Sequence, residues 1–394
     1  MRASVREAAY SRLPFDPKQV PCPSYVIDEG KLKQNLELLR QLRQDTGCKI
    51  LLAQKAFSCY ALYPLIGEYL DGVTSSSLHE ARLGYEEMGK QVHTFAPAYR
   101  PDEFEEILRY SDHIVFNTPF QWKRFRPLVE AADKKVSCGL RVNPECSTQD
   151  HAIYDPCAPG SRMGTTAAHL TAADLEGLEG LHFHTLCEST SYDLEKTLAQ
   201  VEDRFGHLLP HIKWLNMGGG HLMTRKDYDT AHLINLLRGF KQRHPSLEII
   251  LEPGSAFAWQ TGTLVSTIVD IVENHGIKTA ILDVSFACHM PDCLEMPYKP
   301  AILGTHEPAE GEKRWRMGGN SCLAGDYYGD WAFDGGREPR VGDRIVFRDM
   351  IHYTMVKTTM FNGVTHPSIG IWNPETGFRL VRKFGYEDYK NRMS

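Results

Sequence analysis

The sequence predicts an α/β protein in which a (β/α)8 barrel of the TIM type is followed by a C-terminal all-β domain. Apolar, strand-like runs alternate with amphipathic helical runs up to about residue 262, and polar residues recur where the strand-like runs end. Beyond that point the alternation gives way to runs rich in Val, Ile and Thr, broken by Gly and Pro. A chain of 394 residues is long enough for both parts.

The barrel prediction is built element by element. A first helix follows Asp28, a side chain suited to capping, with Leu32 and Leu36 opening an apolar stripe and Gly47 as the stop signal. Eight strands are predicted at 49–57, 72–77, 93–98, 113–117, 137–143, 178–186, 213–220 and 248–254. Helices are predicted between most of them, at 78–89, 101–110, 119–132, 192–209 and 228–243.

The second domain is predicted from its change of pattern. The domain organisation is therefore an N-terminal extension at 1–22 that could join the β domain, a barrel at 23–262 and a β domain at 263–394. Within the β domain, strands are predicted at 263–273, 279–286, 344–347 and 378–383.

The composition narrows the classes of partner. A net charge of −6 argues against nucleic acid, and no apolar stretch is long enough to span a membrane. Ten cysteines without CxxC pairs or zinc-finger spacing predict reduced thiols and a cytoplasmic location. No metal site is predicted, because histidines such as His93, His113, His182 and His184 form no clear ligand set.

Residues able to take part in catalysis collect at one end of the predicted strands. The C-terminal face of a barrel is where such folds place their active sites. Six predicted strands end at or near a residue of this kind: Lys55, Ser76, Arg141, His184, Gly219 and Glu252.

Four of these features are the parts of a pyridoxal phosphate (PLP) site. A buried Lys55 loses its proton more easily and becomes a nucleophilic amine. The Gly218-Gly219-Gly220 run can bring backbone N–H groups to a phosphate, and Glu252 can bond a pyridine nitrogen. His184 offers a flat ring to stack on a cofactor. Taken singly, each has a structural alternative: a lysine reaching solvent, a turn, a carboxylate bonded to backbone or arginine, and a core histidine.

Two further candidates follow the barrel. An inert buried cysteine is the usual explanation for any one of the ten, but Cys322 has small, polar neighbours and Asp326 four residues on, which is compatible with a partly exposed, reactive thiol. Tyr353 could reach a phosphate or a ring edge with its hydroxyl, although core packing explains it equally well locally.

In this order the motifs resemble the fold type III PLP decarboxylases, which include ornithine, diaminopimelate and carboxynorspermidine decarboxylases, with alanine racemase as a more distant relative. The resemblance spans residues 23–361. Within the group the chain is most similar to the carboxynorspermidine decarboxylases, on the stretches at 52–56, 75–80, 141–144, 161–164, 216–221, 289–292 and 318–326.

The resemblance implies a role for each barrel candidate. Lys55 would bind PLP covalently, and His184 would stack on its ring. Glu252 would bond the ring nitrogen and border the substrate, while Arg141 would lie near the phenolic oxygen. The remaining contacts, to the phosphate, would come from Gly219, Gly220 and Tyr353.

The resemblance also implies a homodimer with shared active sites. Cys322 would come from the partner subunit and protonate the α-carbon after carbon dioxide leaves. Asp283 and Asp326, with Asp292 as a third candidate, would bind distal amines of a polyamine-like amino acid. The implied reaction converts carboxynorspermidine, and carboxyspermidine, into norspermidine and spermidine in polyamine biosynthesis.

One departure from the family pattern bears on the substrate. Ser255 stands where ornithine and diaminopimelate decarboxylases typically carry an arginine, which favours a substrate with a cationic far end. Decarboxylation of diaminopimelate or ornithine remains the nearer alternative. Racemisation is disfavoured by Glu252 and Cys322, and a non-catalytic regulatory relative is the alternative of another class.

Overall fold

The computed structural model describes residues 13–149 and 152–394, which divide into two compact units. One unit is Gln34–Trp259, and the other joins the described part of Met1–Lys33 to Gln260–Ser394. The strands of the described residues are β1 (Ser24–Asp28), β2 (Lys49–Ala53), β3 (Gly72–Ser75), β4 (Gln91–Phe95), β5 (His113–Phe116), β6 (Ser137–Asn143), β7 (Thr165–Thr166), β8 (Gly180–His182), β9 (Trp214–Asn216), β10 (Glu248–Leu251), β11 (Gly262–Asn274), β12 (Ile277–Leu282), β13 (Thr305–His306), β14 (Trp315–Gly318), β15 (Tyr327–Phe333), β16 (Arg344–Arg348), β17 (Ser368–Asn373) and β18 (Gly377–Arg382).

Helices alternate with the strands in the first of these units and are short in the other. They are α1 (Glu29–Thr46), α2 (Tyr63–Gly67), α3 (Leu78–Met88), α4 (Pro101–Tyr110), α5 (Pro119–Ala131), α6 (Ser191–Phe205), α7 (Thr230–Arg243), α8 (Ser255–Ala258), α9 (Phe286–His289), α10 (Pro291–Glu295) and α11 (Tyr386–Lys390).

The unit of residues 34–259 is a closed parallel barrel. Its eight strands pair in the order β2, β3, β4, β5, β6, β8, β9 and β10, and β10 returns to β2 through the register Ile250↔Lys49. The two-residue strand β7 pairs with β6 outside this ring. The (β/α)8 prediction is confirmed, because each of the eight predicted strands overlaps one strand of the ring.

Apolar packing closes the inside of the barrel. Leu51, Val115, Trp214 and Ile250 form one buried cluster. The Trp214 ring lies where a side chain on Gly180 of the neighbouring strand would stand, so only glycine fits there. The interior is therefore a packed core, and open space is confined to the end where the strands finish.

The helices follow the signals in the sequence, with two exceptions. Asp28 accepts a hydrogen bond from the backbone of Lys31 at the start of α1, and Gly47 follows its end with a φ of 65°. The barrel helices α2 and α8 were not predicted. The described residues of 144–179 contain short 3-10 turns and β7 where a barrel helix would stand, and several of them border the open end of the barrel.

The other unit is a mixed sheet in the order β13, β15, β14, β12, β11, β1, β17 and β18, with β16 also on β11. Strand β1 runs antiparallel to β11 and parallel to β17. The sequence analysis placed 23–33 within the barrel range and predicted no strand before residue 49, whereas these residues belong to the sheet unit. The unit also carries the short helices α9, α10 and α11, so it is not purely β.

The described part of the N-terminal extension belongs to the sheet unit. Phe15 and Val20 lie in one buried cluster with Val26, Val265 and Val346. Residues 1–12 lie outside the described part of the chain. Across residues 13–149 and 152–394, none of the helices combines the length and the apolar character needed to cross a membrane.

Candidate active site

The site is built around Lys55, two residues beyond the end of β2. Buried Gln54 fixes the turn, because its side chain donates to the Glu80 carbonyl oxygen and its backbone N–H donates to the Thr74 carbonyl oxygen. Lys55 borders a cavity of about 670 Å³ at the open end of the barrel. Other side chains on its wall are Ser76, Phe95, Arg141, His182, His184 and Glu252.

The contact between Lys55 and His184 restricts where protons can lie. The Gly219 N–H donates to Nδ1 of His184 at 3.2 Å, so a neutral imidazole carries its proton on Nε2. That Nε2 lies 3.3 Å from Nζ of Lys55. Two donors would repel each other at this distance, so the contact favours a lysine amine that accepts the imidazole proton.

The shift in the pKa of Lys55 also favours a neutral lysine amine. Burial within the barrel lowers the pKa of Lys55, and the positive charge of Arg141 lowers it further. The side chain has surface open to the cavity, which opens at this end of the barrel. Burial also holds the pKa of His184 well below its ordinary value. Lys55 is thus prepared to act as a neutral amine.

Glu252, just past the end of β10, is the anionic group of the site. Asn216 donates to its Oε1 at 2.6 Å, and Nε2 of His182 lies 3.6 Å from its Oε2. Burial raises the pKa of Glu252, but hydrogen bonds from His182, Asn216 and Thr74 outweigh it, and the net pKa is lowered. The carboxylate therefore stays ionised inside the barrel.

Arg141, on β6, contacts both the strand end that carries His184 and the ring of Phe95. Its guanidinium donates to the His184 carbonyl oxygen at 2.8 Å and lies 4.6 Å from the centre of the Phe95 ring. Burial lowers its pKa to about 10, against the raising effect of Glu252. A buried cation on an aromatic ring holds a fixed position, so Arg141 anchors the backbone of the histidine strand.

The glycine run after β9 brings the backbone close to its neighbours. A Cβ at Gly219 would overlap the Glu252 carbonyl oxygen, and one at Gly220 would overlap that of Leu186. Gly220 also has a φ of 90°, which favours glycine. This loop follows the seventh strand of the barrel, and Ser255 follows the eighth, which is where TIM barrels frequently bind phosphate.

These residues fit PLP. A lysine biased toward the neutral amine, an uncharged flat imidazole, an ionised carboxylate and a side-chain-free loop supply partners for an aldehyde, a ring face, a ring nitrogen and a phosphate. The structure brings together Lys55, Arg141, His184, Gly219, Gly220 and Glu252 in one unit.

The remaining candidates lie in the sheet unit. Cys322 is exposed, and its backbone N–H donates to Oδ1 of Asn362 at 2.8 Å. Asp326 is buried and accepts hydrogen bonds from the backbone N–H of Ala287 and from both the N–H and the hydroxyl of Ser321. Its carboxylate thus organises the loop that carries Cys322.

The other acidic candidates also have partners within the sheet unit. Asp283 accepts from the Ser266 hydroxyl at 2.6 Å, and Asp292 pairs with Lys357 at 2.5 Å. Tyr353 has a φ of 53°, a left-handed conformation that is unusual for a tyrosine. Their amine-binding and phosphate-binding roles stay predictions.

The sequence analysis missed three contributors to the site. Asn216, which donates to Glu252, ends a strand two residues before the glycine run, and that position was a usable signal. Phe95 ends β4 in the same way. The segment 152–163, which also borders the cavity, has no periodic pattern and gave no signal beyond the absence of a helix.

Known proteins are similar to this chain over most of its length. The family model described as pyridoxal-dependent decarboxylase, C-terminal sheet domain, matches residues 24–351. The chain is 50% identical over 374 residues to the carboxyaminopropylagmatine decarboxylase of Synechocystis sp., covering 95% of this chain and 96% of that protein. It is 41% identical over 386 residues to the carboxynorspermidine/carboxyspermidine decarboxylase of Campylobacter jejuni, covering 95% and 99%.

The solved structures agree with these relatives. Carboxynorspermidine decarboxylase from Campylobacter jejuni, in complex with norspermidine, matches with a TM-score of 0.87 at 40% identity, covering 95% of this chain and 100% of that one. Diaminopimelate decarboxylase from Helicobacter pylori shares the fold, with a TM-score of 0.80 at 17% identity over 95% of this chain and 97% of that one. The chain therefore belongs to the pyridoxal-dependent decarboxylases and is a carboxy-lyase of that family.

Proposed function

We propose that this chain decarboxylates carboxynorspermidine, and also carboxyspermidine, to give norspermidine, spermidine and carbon dioxide in polyamine biosynthesis. The observation that carries the proposal is that Lys55, His184 and Glu252 border one cavity. Relatives that are 41% and 35% identical over most of their length bear the name of this activity. Norspermidine is the ligand named for the Campylobacter jejuni structure.

The barrel residues hold PLP in this proposal. When bound, PLP supplies an electron sink for the carbanion that carbon dioxide leaves behind. Lys55 binds the cofactor covalently through its amine, and His184 stacks on the ring. Glu252 accepts a hydrogen bond from the ring nitrogen and keeps that nitrogen protonated. Arg141 lies on the phenolic-oxygen side.

The phosphate is held by backbone rather than by an arginine. The loop of Gly219 and Gly220 offers N–H groups without side chains, and Ser255 adds a hydroxyl at the start of α8. Tyr353 is the proposed contact from the sheet unit. The missing arginine leaves the site with one positive charge fewer, which suits a substrate that carries several of its own.

The chemical step breaks the bond between the α-carbon and the carboxylate. Carbon dioxide departs, and the electron pair of that bond stays on the α-carbon. The α-carbon then accepts a proton from the Cys322 thiol, which becomes a thiolate. We propose that this Cys322 belongs to the partner subunit of a homodimer. Asp283, Asp326 and Asp292 are the candidates for the distal amines; since each has a partner in its own unit, binding an amine would require sharing or exchanging it.

A second candidate substrate is carboxyaminopropylagmatine. It is favoured by the 50% identity to the enzyme of that name in Synechocystis sp.. An agmatine chain ends in a planar guanidinium, which donates paired hydrogen bonds to a carboxylate, whereas the other two substrates end in an ammonium group. Diaminopimelate and lysine/ornithine decarboxylases are only 23–25% identical to this chain.

A substrate panel tests the proposal. The purified protein is checked for the absorbance of lysine-bound PLP, and carbon dioxide release is measured with carboxynorspermidine, carboxyspermidine, carboxyaminopropylagmatine, diaminopimelate and ornithine. The highest kcat/KM with a carboxylated norspermidine or spermidine supports the proposal. Preference for the agmatine derivative supports the second candidate, and preference for diaminopimelate or ornithine overturns both.

A further inference from the structure

We propose that His182 is a positioning residue that keeps Glu252 negatively charged and thereby keeps the ring nitrogen of the cofactor protonated. The inference rests on the proposed function, because it needs Glu252 to face that nitrogen. It assigns a task to a histidine which the sequence analysis named only among those that form no clear metal-ligand set.

His182 lies against the carboxylate of Glu252. It is the last residue of β8 and is 2% exposed. Its Nε2 lies 3.6 Å from Oε2 of Glu252, and its Nδ1 is buried without a hydrogen-bond partner among the described residues. A proton on Nε2 faces a carboxylate, whereas a proton on Nδ1 would be stranded and would leave two lone pairs facing each other.

Neutrality is what makes a histidine useful here. Burial lowers the pKa of His182, and the charges of Arg141 and Lys55 add to that effect against the pull of Glu252. An uncharged N–H stabilises the carboxylate without cancelling its charge. A lysine or arginine in the same place would pair with Glu252 and compete with a protonated ring nitrogen.

Other groups around Glu252 cannot replace His182. Asn216 serves the other carboxylate oxygen, Oε1. Arg141 acts on Glu252 through its charge, while its guanidinium donates to the His184 carbonyl oxygen. Lys55 is the amine that bonds to the cofactor in the proposed function. Thr74 contributes one weaker donor. Without His182, the desolvation of Glu252 would be opposed by fewer groups, and the carboxyl would take up a proton at a higher pH.

Two substitutions separate the donor from the volume of the side chain. H182M fills the space without a donor, and H182Q keeps an N–H at nearly the position of Nε2. Holoenzymes are held between about pH 5 and pH 8, a range that spans the ordinary titration of a buried carboxyl. Bound PLP is measured by its absorbance and by the fraction retained after gel filtration. H113F, in the barrel interior and without contact to Glu252, is the matched control.

The expected result is a shift in pH dependence, not a uniform loss. H182M should lose PLP at least ~10-fold faster than wild type near the acidic end and approach wild type near the basic end, because the buried carboxyl of Glu252 takes up a proton at a higher pH when the neighbouring N–H is absent. H182Q and H113F should follow the wild-type profile. The kcat of H182M should fall at low pH while KM changes little.

Two outcomes overturn the inference. Either H182M follows the wild-type profile at every pH, or H182Q shows the same loss as H182M, which would mean that the ring shape matters and not the donor. If H182M does not fold, H182N replaces it, since its shorter amide cannot reach Glu252. Wild-type protein that binds no PLP would instead refute the proposed function, and the two failures are thus distinguishable.

Discussion

At the scale of single residues, the site places three buried basic side chains with lowered pKa values beside one carboxylate that remains ionised. Burial lowers the pKa of Lys55, His182 and His184, while Glu252 remains ionised. A low-dielectric cavity penalises each unpaired cation and rewards each donor aimed at the carboxylate. The single lysine in this set is therefore the group best prepared to attack an aldehyde.

Replacing Lys55 tests whether this residue is the amine that binds PLP. K55A should lower kcat by at least ~10²-fold and remove the absorbance of lysine-bound PLP, because no other amine borders the cavity among the described residues. The melting temperature of the apoprotein should stay the same or rise, since a desolvated amine is lost. K135A, an exposed lysine of the same unit, is the control and should change neither property. Retention of covalent PLP by K55A would contradict the assignment.

At the scale of elements, the loop after β9 is a place where backbone, and not side chain, is the functional part. Its glycines let one loop pass between the Glu252 and Leu186 carbonyl groups. The same closeness fixes the direction in which its N–H groups point, as His184 shows by accepting from Gly219. Any added side chain must push the loop away from its neighbours.

Substitution of Gly219 should separate loop geometry from global stability. G219A should weaken PLP binding by ~10-fold or more, because the new Cβ overlaps the Glu252 carbonyl oxygen and the loop has to move. G89A, at the end of α3, has a φ of 65° and open space, so its cost of about 1 kcal/mol is backbone strain alone. PLP titration and thermal melting of both variants make the comparison. Equal PLP affinity in the two would refute a phosphate role for this loop.

The elements also show how far sequence reasoning reaches. The eight ring strands were predicted because a buried parallel strand is a short apolar run with a polar end, as Lys55 and Glu252 illustrate. The sequence analysis included residues 24–28 in the barrel range and predicted no strand there, because local pattern does not identify hydrogen-bond partners; those of β1 lie on β11 and β17. The role of Asn216 was missed for the same reason, because its contact with Glu252 joins two strands and cannot be predicted from the sequence of either strand alone.

At the scale of the whole molecule, buried histidines set the response to acid. Burial lowers the pKa of His93, His113, His182, His184 and His221, with His113 and His221 at about 4. Below about pH 6.5 the unfolded chain binds protons that these folded sites refuse. The unfolded state then holds more protons than the native state, so the free energy of unfolding falls as the pH drops from about 6.5 toward 4.

The contribution of His113 to this pH dependence of stability can be measured by substitution. In H113F the free energy of unfolding should fall less steeply between about pH 6.5 and 4, by up to ~1.4 kcal/mol per pH unit, because one proton fewer is bound on unfolding. Urea midpoints measured across this range for wild type and variant give the slopes. Parallel slopes would show that His113 titrates in the native protein as it does in the unfolded chain.

The proposed homodimer makes a prediction of its own. If Lys55 and Cys322 act in one site but come from different subunits, mixing K55A with C322A should restore about a quarter of wild-type activity after subunit exchange, since a mixed dimer keeps one intact site. Each variant alone should stay inactive. Without recovery, despite proven exchange by native mass spectrometry, the two residues would have to act within one chain.

The pairing of β1 between β11 and β17 has a consequence for synthesis on the ribosome. Ser24 faces Val265 on one side and Ser368 on the other, so this early strand emerges long before either partner exists. At about 5–20 residues per second, it waits tens of seconds with its edges unsatisfied while residues 34–259 can already close into a barrel. The N-terminal strand is thus the part of the nascent chain most exposed to mispairing, and a chaperone that covers it should raise the yield of active protein.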